Sequence, residues 1–251
     1  MGGTTLEPSA GGIRSEDNQT FHPALHPRQQ FLGRRLEGAK RQRPADGVPY
    51  LPPMPTNLAI FVSGTGSNAR VLIDRLHAQP VSGARSQVRV AVVVSNREDA
   101  PALMMAAERG VPTLVLRRQS FRETEELVGE LAKFDIRYIV LAGFLWLIPP
   151  YLVRAFPDRI LNIHPALLPK YGGKGMYGLN VHRAVKAAGE LESGITIHLV
   201  NERYDEGRVL FQAAVALDTG DTAEEIGGRV LRLEHGNYWR VVLDYIRKYE
   251  E

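Results

Sequence analysis

Two polar side chains alternate with apolar ones in a short run near the middle of the sequence. The run reads Leu161-Asn162-Ile163-His164, and Pro165 follows it. Because side chains of an extended strand point to opposite faces in turn, we expect Asn162 and His164 to share one face at the end of a strand. An amide donor beside an imidazole can stabilise a developing oxyanion and move a proton. A buried structural histidine is the alternative interpretation.

A polar loop supplies a candidate carboxylate to accompany these two residues. The segment Asn201 to Gly207 lies between two apolar runs and contains Asp205 and Glu206. Loops carried on rigid strands often hold functional residues, so either acid is a candidate to supply this carboxylate. The alternative is that Asp205 or Glu206 is only a turn residue before Gly207, without a role in chemistry.

A glycine-rich turn indicates a second binding element. Ser63 to Asn68 follows an apolar run and precedes a helical pattern, so its backbone amides are predicted to hold a phosphate group. The spacing of Gly64, Gly66 and Ala69 also fits a dinucleotide fingerprint, in which Arg97 would accept a 2′-phosphate. A strand-to-helix turn without a ligand remains the third interpretation.

The elements that must position these residues alternate between short β-branched runs and longer helical patterns, which predicts an α/β fold. We expect a Rossmann-like, largely parallel twisted sheet with helices on both faces and mixed strands toward the C-terminal part. The predicted strands are Leu58 to Val62, Val88 to Val94, Thr113 to Leu116, Tyr138 to Leu141, Ile160 to Ile163, Ile195 to Val200 and Val209 to Ala216. The predicted helices are Ala69 to Leu76, Ala100 to Arg109, Arg122 to Lys133, Val181 to Ala188 and, after a cap at Asp221-Thr222, Ala223 to Tyr245.

Composition limits the domain organisation and the classes of partner. Residues 1–55 are rich in Gly, Pro, Arg, Gln and Ser without an apolar period, which predicts a disordered tail, native or added by a start site annotated upstream of Met54. Residues 56–251 are predicted to form a single catalytic domain. The formal charge of +3 lies largely in the tail, so we expect no nucleic-acid partner. With 0 cysteines and no apolar span, we expect no disulfide, no membrane association and a cytoplasmic location.

These motifs together resemble those of the phosphoribosylglycinamide formyltransferases of purine synthesis. The resemblance covers Leu58 to Ile246, and the order and spacing of its pieces make it specific. The matching pieces are Phe61 to Asn68, Val94 to Arg97, Leu141 to Phe144, Leu161 to Pro169, Gly194 to His198 and Asp205 to Gly207.

The resemblance implies an enzyme that transfers the formyl group of 10-formyltetrahydrofolate to the amine of glycinamide ribonucleotide. It implies a catalytic trio of Asn162, His164 and Asp205. It further implies ribonucleotide contacts by Gly66, Ser67, Asn68 and Glu234, and a folate pocket formed by Leu145, Trp146, Leu147, Ile148, Asn201, Glu202, Arg203 and Tyr204. The expected partners are these two small molecules, with the chain a monomer or a homodimer.

The chemistry is consistent with these roles and requires no metal. Asp205 beside His164 is expected to raise the pKa of the imidazole and keep it charged near neutral pH. Glu234 is expected to orient the attacking amine through a hydrogen bond. His182, His198 and His235 lack the spacing of zinc ligands, and no cysteine is present, so no metal site is predicted.

Two segments depart from many relatives. The glycine-rich segment Tyr171 to Asn180 is longer and is predicted to be a lid or, alternatively, a lengthened surface loop. The position at which many relatives hold an arginine for the folate tail is Thr124 here, with Arg122 two residues earlier.

Two related enzymes share the Asn-x-His-Pro and Asp loops, and a third class competes with them. A formyltetrahydrofolate deformylase usually carries a regulatory domain in front, and a methionyl-tRNA formyltransferase usually carries a basic barrel behind. We expect neither appendage here. A nucleotide-binding or dinucleotide-dependent protein would keep the glycine turn without needing Asn162, His164 and Asp205 together.

Overall fold

The computed structural model describes residues 55–76 and 88–250, so the predicted tail, Pro55 apart, lies outside the described residues. Seven strands and seven helices occur in the described part. The strands are β1 (Thr56–Val62), β2 (Val88–Ser95), β3 (Thr113–Val115), β4 (Ile136–Leu141), β5 (Ile160–His164), β6 (Glu192–Leu199) and β7 (Val209–Ala216). The helices are α1 (Ser67–Leu76), α2 (Pro101–Glu108), α3 (Arg118–Glu123), α4 (Glu126–Ala132), α5 (Pro150–Ala155), α6 (Leu179–Ala187) and α7 (Ala223–Glu250).

All seven strands form one sheet in the order β3-β2-β1-β4-β5-β6-β7. The first five strands are parallel, β6 is antiparallel to β5, and β7 is antiparallel to β6. The strand order reverses direction at β1, because β2 and β3 lie on one side of it and β4 to β7 on the other. In open α/β sheets such a switch point leaves a crevice at the carboxyl ends of the strands. The predicted α/β fold class is confirmed.

Helices cover both faces of the sheet, and each face has its own apolar core. Alternate residues of the central strands explain this division, because Leu58 and Ile60 of β1 belong to one core while Ala59 and Phe61 belong to the other. The first core also contains buried residues of α1, α2, α6 and α7. The second contains buried residues of α3, α4 and α5.

The long helix α7 starts at a capping box, as its sequence predicts. The Thr222 hydroxyl accepts a hydrogen bond from the Glu225 amide at 3.1 Å, and the Glu225 carboxylate accepts one from the Thr222 amide at 2.7 Å. The buried face of α7 then continues through Ile226, Val230, Glu234 and Tyr238. The Tyr238 hydroxyl donates toward the carbonyls of Leu141 and Leu161, which fixes the helix against β4 and β5. The predicted helix Ala223 to Tyr245 is confirmed and extends to Glu250.

The structure differs from the predicted elements in two places. The predicted helix Arg122 to Lys133 is wrong, because two helices, α3 and α4, meet at Thr124. Thr124 adopts an extended backbone with φ −128° and ψ 162°, and its hydroxyl donates to the Ser120 carbonyl at 3.0 Å. A threonine that bonds its local backbone offers the chain an alternative to continuing the helix. The second difference is α5, which was not predicted. Pro150 opens it, a position where a missing backbone N–H costs nothing.

Among the described residues, no helix is long and apolar enough to cross a membrane.

Candidate active site

A cleft of about 850 Å³ opens at the carboxyl ends of β1, β4 and β5. This is the crevice that the strand order creates. Its lining includes three main groups of residues. They are the glycine turn Ser63 to Asn68, the strand-end residues Leu141 to Ile148 and Asn162 to Pro165, and side chains from α6, the loop after β6 and α7 that include His182, Asp205 and Glu234.

Asn162 and His164 share one face of β5, as the alternation predicts, since Leu161 and Ile163 belong to the core on the other face. His198 of β6 lies directly opposite Asn162 in the antiparallel pair. The Nδ2 of Asn162 lies 3.1 Å from Nε2 of His198, and Nδ1 of His198 lies 2.8 Å from the Leu199 carbonyl. Because a carbonyl only accepts, His198 donates from Nδ1 and accepts from Asn162 at Nε2. The orientation of the Asn162 amide is thereby fixed.

His164 lies between a backbone carbonyl and a carboxylate. Its Nε2 donates to the Tyr171 carbonyl at 2.7 Å, and its Nδ1 lies 3.5 Å from Oδ2 of Asp205. The Nδ2 of Asn162 lies at the same distance, 3.5 Å, from Oδ1 of Asp205. The carboxylate predicted from the loop therefore does reach the two residues of β5.

Backbone geometry brings Asp205 to this position. Its φ of 56° is left-handed, a region that Asp tolerates better than most residues. A Cβ on Gly207 would lie 1.6 Å from the Leu199 carbonyl oxygen, so only glycine allows the loop to pass so close to β6. The Gly173 amide donates to Oδ2 of Asp205 at 2.9 Å. The loop after β6 thus packs closely against Leu199 at Gly207 and is bonded to the Gly173 amide at Asp205.

The charge state of the pair differs from the sequence prediction. Burial lowers the pKa of the His164 imidazole below its ordinary value, and the nearby Asp205 carboxylate and Tyr171 carbonyl only partly offset that effect. The prediction that Asp205 would give a net rise is therefore wrong, although the carboxylate does act in that direction. Burial also raises the pKa of Asp205, but contacts with His198, His164 and the Gly173 amide outweigh it and lower that pKa. Asp205 is ionised at neutral pH.

The glycine turn brings the Asn68 side chain to the cleft, next to Glu234 of α7. Gly66 has a φ of 71°, and a Cβ there would lie 2.5 Å from the Cβ of Ala102, so the turn requires glycine at this position. Asn68 follows in the first turn of α1 and donates to Oε2 of Glu234 at 2.6 Å. Burial raises the pKa of the Glu234 carboxyl, and the bond from Asn68 opposes the rise. The carboxyl group of Glu234 thus lies beside the turn that is predicted to hold phosphate.

An apolar wall closes the opposite side of the cleft. The segment Leu145 to Ile148 lines it, and the Leu145 amide donates to the Ser63 hydroxyl at 2.9 Å. Trp146 packs against Phe121 and Phe144, with ring centroids 5.4 and 6.2 Å away. Arg118 lies over the same indole at 5.8 Å. A flat aromatic ligand would find an apolar slot here.

No group of three or more His, Cys, Asp or Glu side chains in the described part of the chain could hold a metal ion.

Comparison with known proteins identifies the family. The profile of the family described as Formyl transferase matches residues 56–242. The chain belongs to the formyl transferase family. It is 46% identical over 195 residues to the chloroplastic phosphoribosylglycinamide formyltransferase of Arabidopsis thaliana, covering 76% of this chain and 65% of that protein. It is 35% identical over 190 residues to the Escherichia coli phosphoribosylglycinamide formyltransferase, covering 74% of this chain and 85% of the bacterial one.

Solved structures of formyl transferases agree with this assignment. The phosphoribosylglycinamide formyltransferase of Brucella melitensis superposes with a TM-score of 0.66 at 34% identity, covering 76% of this chain and 96% of the other. Glycinamide ribonucleotide transformylase 1 of Symbiobacterium toebii gives a TM-score of 0.65 at 33% identity, covering 75% and 86%. The resemblance predicted from the motifs is confirmed. The chain spans less than two thirds of the two plant relatives, 65% of one and 59% of the other.

Most site residues predicted for this formyl transferase line the cleft, and two do not. Asn201 and Glu202 lie outside the lining. The side chain of Asn201 instead accepts from the Arg203 amide at 2.9 Å and donates to the Glu206 carbonyl at 3.1 Å, so it shapes the loop that carries Asp205. Arg203 and Tyr204 do line the cleft. Neither Thr124 nor Arg122 belongs to the lining.

Three contacts of this formyl transferase site were not predicted from the sequence. They involve the His198 ring, the Tyr171 carbonyl and the Gly173 amide. His198 belongs to the matching piece Gly194 to His198 and lacks the spacing of a zinc ligand, but no role in the site was predicted for it. The alternation of Thr196 and His198 along a predicted strand next to the Asn-x-His strand is a usable signal. The segment from Gly173 to Leu179 lines the cleft. Its role as a lid stays a prediction.

Proposed function

We propose that this chain transfers the formyl group of 10-formyltetrahydrofolate to the amine of glycinamide ribonucleotide, a step of purine synthesis. The convergence of Asn162, His164 and Asp205 within 3.5 Å contacts carries the proposal. The names of the relatives from Arabidopsis thaliana and Escherichia coli support it.

The trio suits attack of an amine on a formyl carbon. The new C–N bond forms as the formyl C=O becomes a C–O⁻, and donors aimed at that oxygen lower the barrier. One N–H of the Asn162 amide stays on His198, and the other, which makes only a long 3.5 Å contact with Asp205, can donate to the new oxygen instead. Nδ1 of His164 can donate a second once the ring is protonated, because in the neutral ring the single proton lies on Nε2, which donates to the Tyr171 carbonyl.

Collapse of the intermediate needs a proton on the leaving nitrogen. The C–O⁻ becomes C=O again as the C–N bond to the folate breaks, and the folate nitrogen gains a proton. The ribonucleotide nitrogen, which became positively charged when the neutral amine attacked, loses one, so the net charge is unchanged. His164 and Asp205 can pass this proton between the two nitrogens. The lowered pKa of His164 makes the neutral ring the resting form, whereas a developing oxyanion favours its protonated form.

The two sides of the cleft suit the two substrates. Backbone amides at the start of α1, with glycine required at Gly66, suit a phosphate group, and Glu234 beside Asn68 suits an amine or hydroxyl. The apolar wall Leu145 to Ile148, with Arg203 and Tyr204 across the cleft, suits a pterin ring. We infer that no metal takes part, because donors and a proton carrier suffice for this reaction.

One assay tests the proposal. Purified protein is mixed with 10-formyltetrahydrofolate and glycinamide ribonucleotide, and release of tetrahydrofolate is followed. Release that requires the ribonucleotide supports the proposal. Equal release without any amine would indicate a formyltetrahydrofolate deformylase instead, and activity that needs a nicotinamide cofactor but no folate would overturn the assignment.

A single variant tests the separation of roles. His164→Ala should abolish turnover while leaving ribonucleotide binding largely intact, because the glycine turn is formed by other residues. Loss of ribonucleotide binding with an unchanged kcat would contradict this separation.

Fractionation of the source cells would test the predicted cytoplasmic location, which contrasts with the chloroplast named for the plant relatives.

A further inference from the structure

His182 is a buried histidine in the cleft that the proposed mechanism does not use. It lies in α6, is only 7% exposed, and lines the cleft together with His164. Among the described residues, neither ring nitrogen has a hydrogen-bond partner, and Nδ1 is fully enclosed. Because Nδ1 is enclosed, Nε2 is the ring nitrogen that can meet a ligand in the cleft.

The enclosed nitrogen decides which form of the ring is present. A proton on Nδ1 would be a donor shut away from any acceptor, which costs more free energy than an enclosed lone pair. The neutral ring with its proton on Nε2 avoids that cost. Burial and the neighbouring His164 both lower the pKa of His182, in agreement with a neutral ring. His182 therefore offers one uncharged N–H donor.

A glycine on the facing helix leaves room for this ring. A Cβ on Gly227 of α7 would lie 2.9 Å from Cδ2 and 3.3 Å from Nε2 of His182. The close approach of α6 and α7 thus requires glycine, and it directs the ring to the wall that α7 forms with Val230 and Glu234. That wall continues to Asn68 and the glycine turn, which is the side of the cleft suited to the ribonucleotide.

We infer that His182 binds the ribonucleotide by donating its Nε2–H to an uncharged oxygen, a sugar hydroxyl or the glycinamide carbonyl. The inference rests on the proposed function and adds a ribonucleotide contact to it. A phosphate oxygen is the poorer match, because a charged partner would favour a protonated ring that the enclosed Nδ1 disfavours. His182 is a binding residue with no part in proton transfer.

Calorimetric titration of glycinamide ribonucleotide into the folate-free protein tests the inference. Wild type is compared with His182→Gln, which keeps an N–H donor near the position of Nε2, and with His182→Leu, which removes it. We expect His182→Leu to bind about tenfold more weakly, the effect of losing one net hydrogen bond, and His182→Gln to bind nearly as wild type does. In turnover assays the KM for the ribonucleotide should rise, with kcat and the KM for folate unchanged.

His235→Leu is the matched control. His235 lies on α7, has an enclosed Nε2 without a partner, and does not line the cleft, so its loss should leave affinity unchanged. Gly227→Ala is a second variant that keeps the imidazole but displaces it. If His182→Leu proves too unstable to measure, Gly227→Ala takes its place in the test, and we expect it to weaken ribonucleotide binding.

The outcomes separate this inference from the proposed function. If wild type binds the ribonucleotide and His182→Leu or Gly227→Ala binds it equally well, the role of His182 is overturned while the proposed function stands. If wild type does not bind the ribonucleotide, the proposed function fails and the inference fails with it. A steep loss of wild-type affinity between pH 6 and 8 that His182→Gln removes would show a charged ring and would overturn the uncharged contact.

Discussion

The Gly173 amide donates a hydrogen bond to the Asp205 carboxylate at 2.9 Å, although the two residues belong to separate loops. Two residues earlier, the Tyr171 carbonyl accepts a hydrogen bond from His164 at 2.7 Å. The glycine-rich segment after β5 therefore contacts both members of the His164–Asp205 pair through its backbone. We expect the position of this segment to affect the proposed reaction through these two backbone contacts, without a part for its side chains.

Gly173→Ala tests this arrangement. Gly173 has a φ of 92°, a conformation that alanine adopts only with strain, so the substitution should shift the amide away from Asp205. We expect kcat to fall at least about tenfold, the equivalent of roughly 1.4 kcal/mol, while the KM for folate changes little. Steady-state kinetics with both substrates measures this.

Gly175→Ala is the matched control for Gly173→Ala. Gly175 has a similar φ of 89°, and a Cβ there meets no atom within 4 Å. It should cost about 1 kcal/mol of stability through the same backbone strain, with a much smaller effect on kcat. Equal losses of kcat in the two variants would mean that loop strain, and not the contact with Asp205, matters.

Asp205→Asn tests the electrostatic part of the pair. Asp205 raises the pKa of His164 against the larger effect of burial, so removing its charge should lower that pKa further. Less of the ring is then protonated at neutral pH, so less of the acid that protonates the leaving nitrogen is present. We expect kcat at pH 7 to fall by about 10²–10⁴ and the residual rate to increase toward acidic pH. A variant with the wild-type pH profile would contradict this role for the carboxylate.

Glu234→Gln is predicted to stabilise the protein while weakening ribonucleotide binding. Burial raises the pKa of Glu234, so ionising it costs more in the folded protein than in the unfolded chain. The wild type therefore loses stability as pH rises from the ordinary glutamate pKa, about 4.3, through the raised folded value. Glutamine cannot ionise and still accepts from Asn68. Thermal unfolding should give the variant a higher Tm at pH 8 and nearly the wild-type Tm below pH 4.

Gly66→Ala tests the glycine turn, with Gly64→Ala as its control. A Cβ on Gly66 would lie 2.5 Å from that of Ala102 and would face a φ of 71°, whereas a Cβ on Gly64 meets nothing within 4 Å. Only the first substitution should distort the amides at the start of α1. We expect a rise of at least about tenfold in the KM for the ribonucleotide, corresponding to loss of about 1.4 kcal/mol of binding. A similar KM for the ribonucleotide in both variants would argue against phosphate binding by the turn.

Strands were the part of the fold most accessible from the sequence. The run Val209 to Ala216 was predicted with its observed bounds, and Leu58 to Val62 falls two residues short of β1. The errors in the predicted helices lie where single residues end or start a helix. The hydroxyl of Thr124 ends a helix that the apolar period would continue, and Pro150 starts one where proline suggests a break.

Apart from what the family resemblance implied, the site could be predicted from its residues only where its geometry is local. Alternation along β5 predicted that Asn162 and His164 share a face. The contact of His198 with Asn162 depends on the antiparallel register of β6, and the approach of Asp205 depends on how closely Gly207 passes Leu199. The contributions of Tyr171 and Gly173 come from backbone atoms, which every residue type possesses. The net pKa of His164 depends on burial that only the assembled fold defines.

The hydrogen bond between Asn68 and Glu234 joins the first described helix to the last one, across 166 residues of sequence. During synthesis, therefore, the site cannot exist until α7 has emerged from the ribosome and docked on the sheet. A nascent chain that stops before Glu234 would already contain Asn162, His164 and Asp205 but would lack one wall of the cleft. Enzymatic turnover thus reports completion of folding, so an activity assay on arrested chains of increasing length would time the docking of α7.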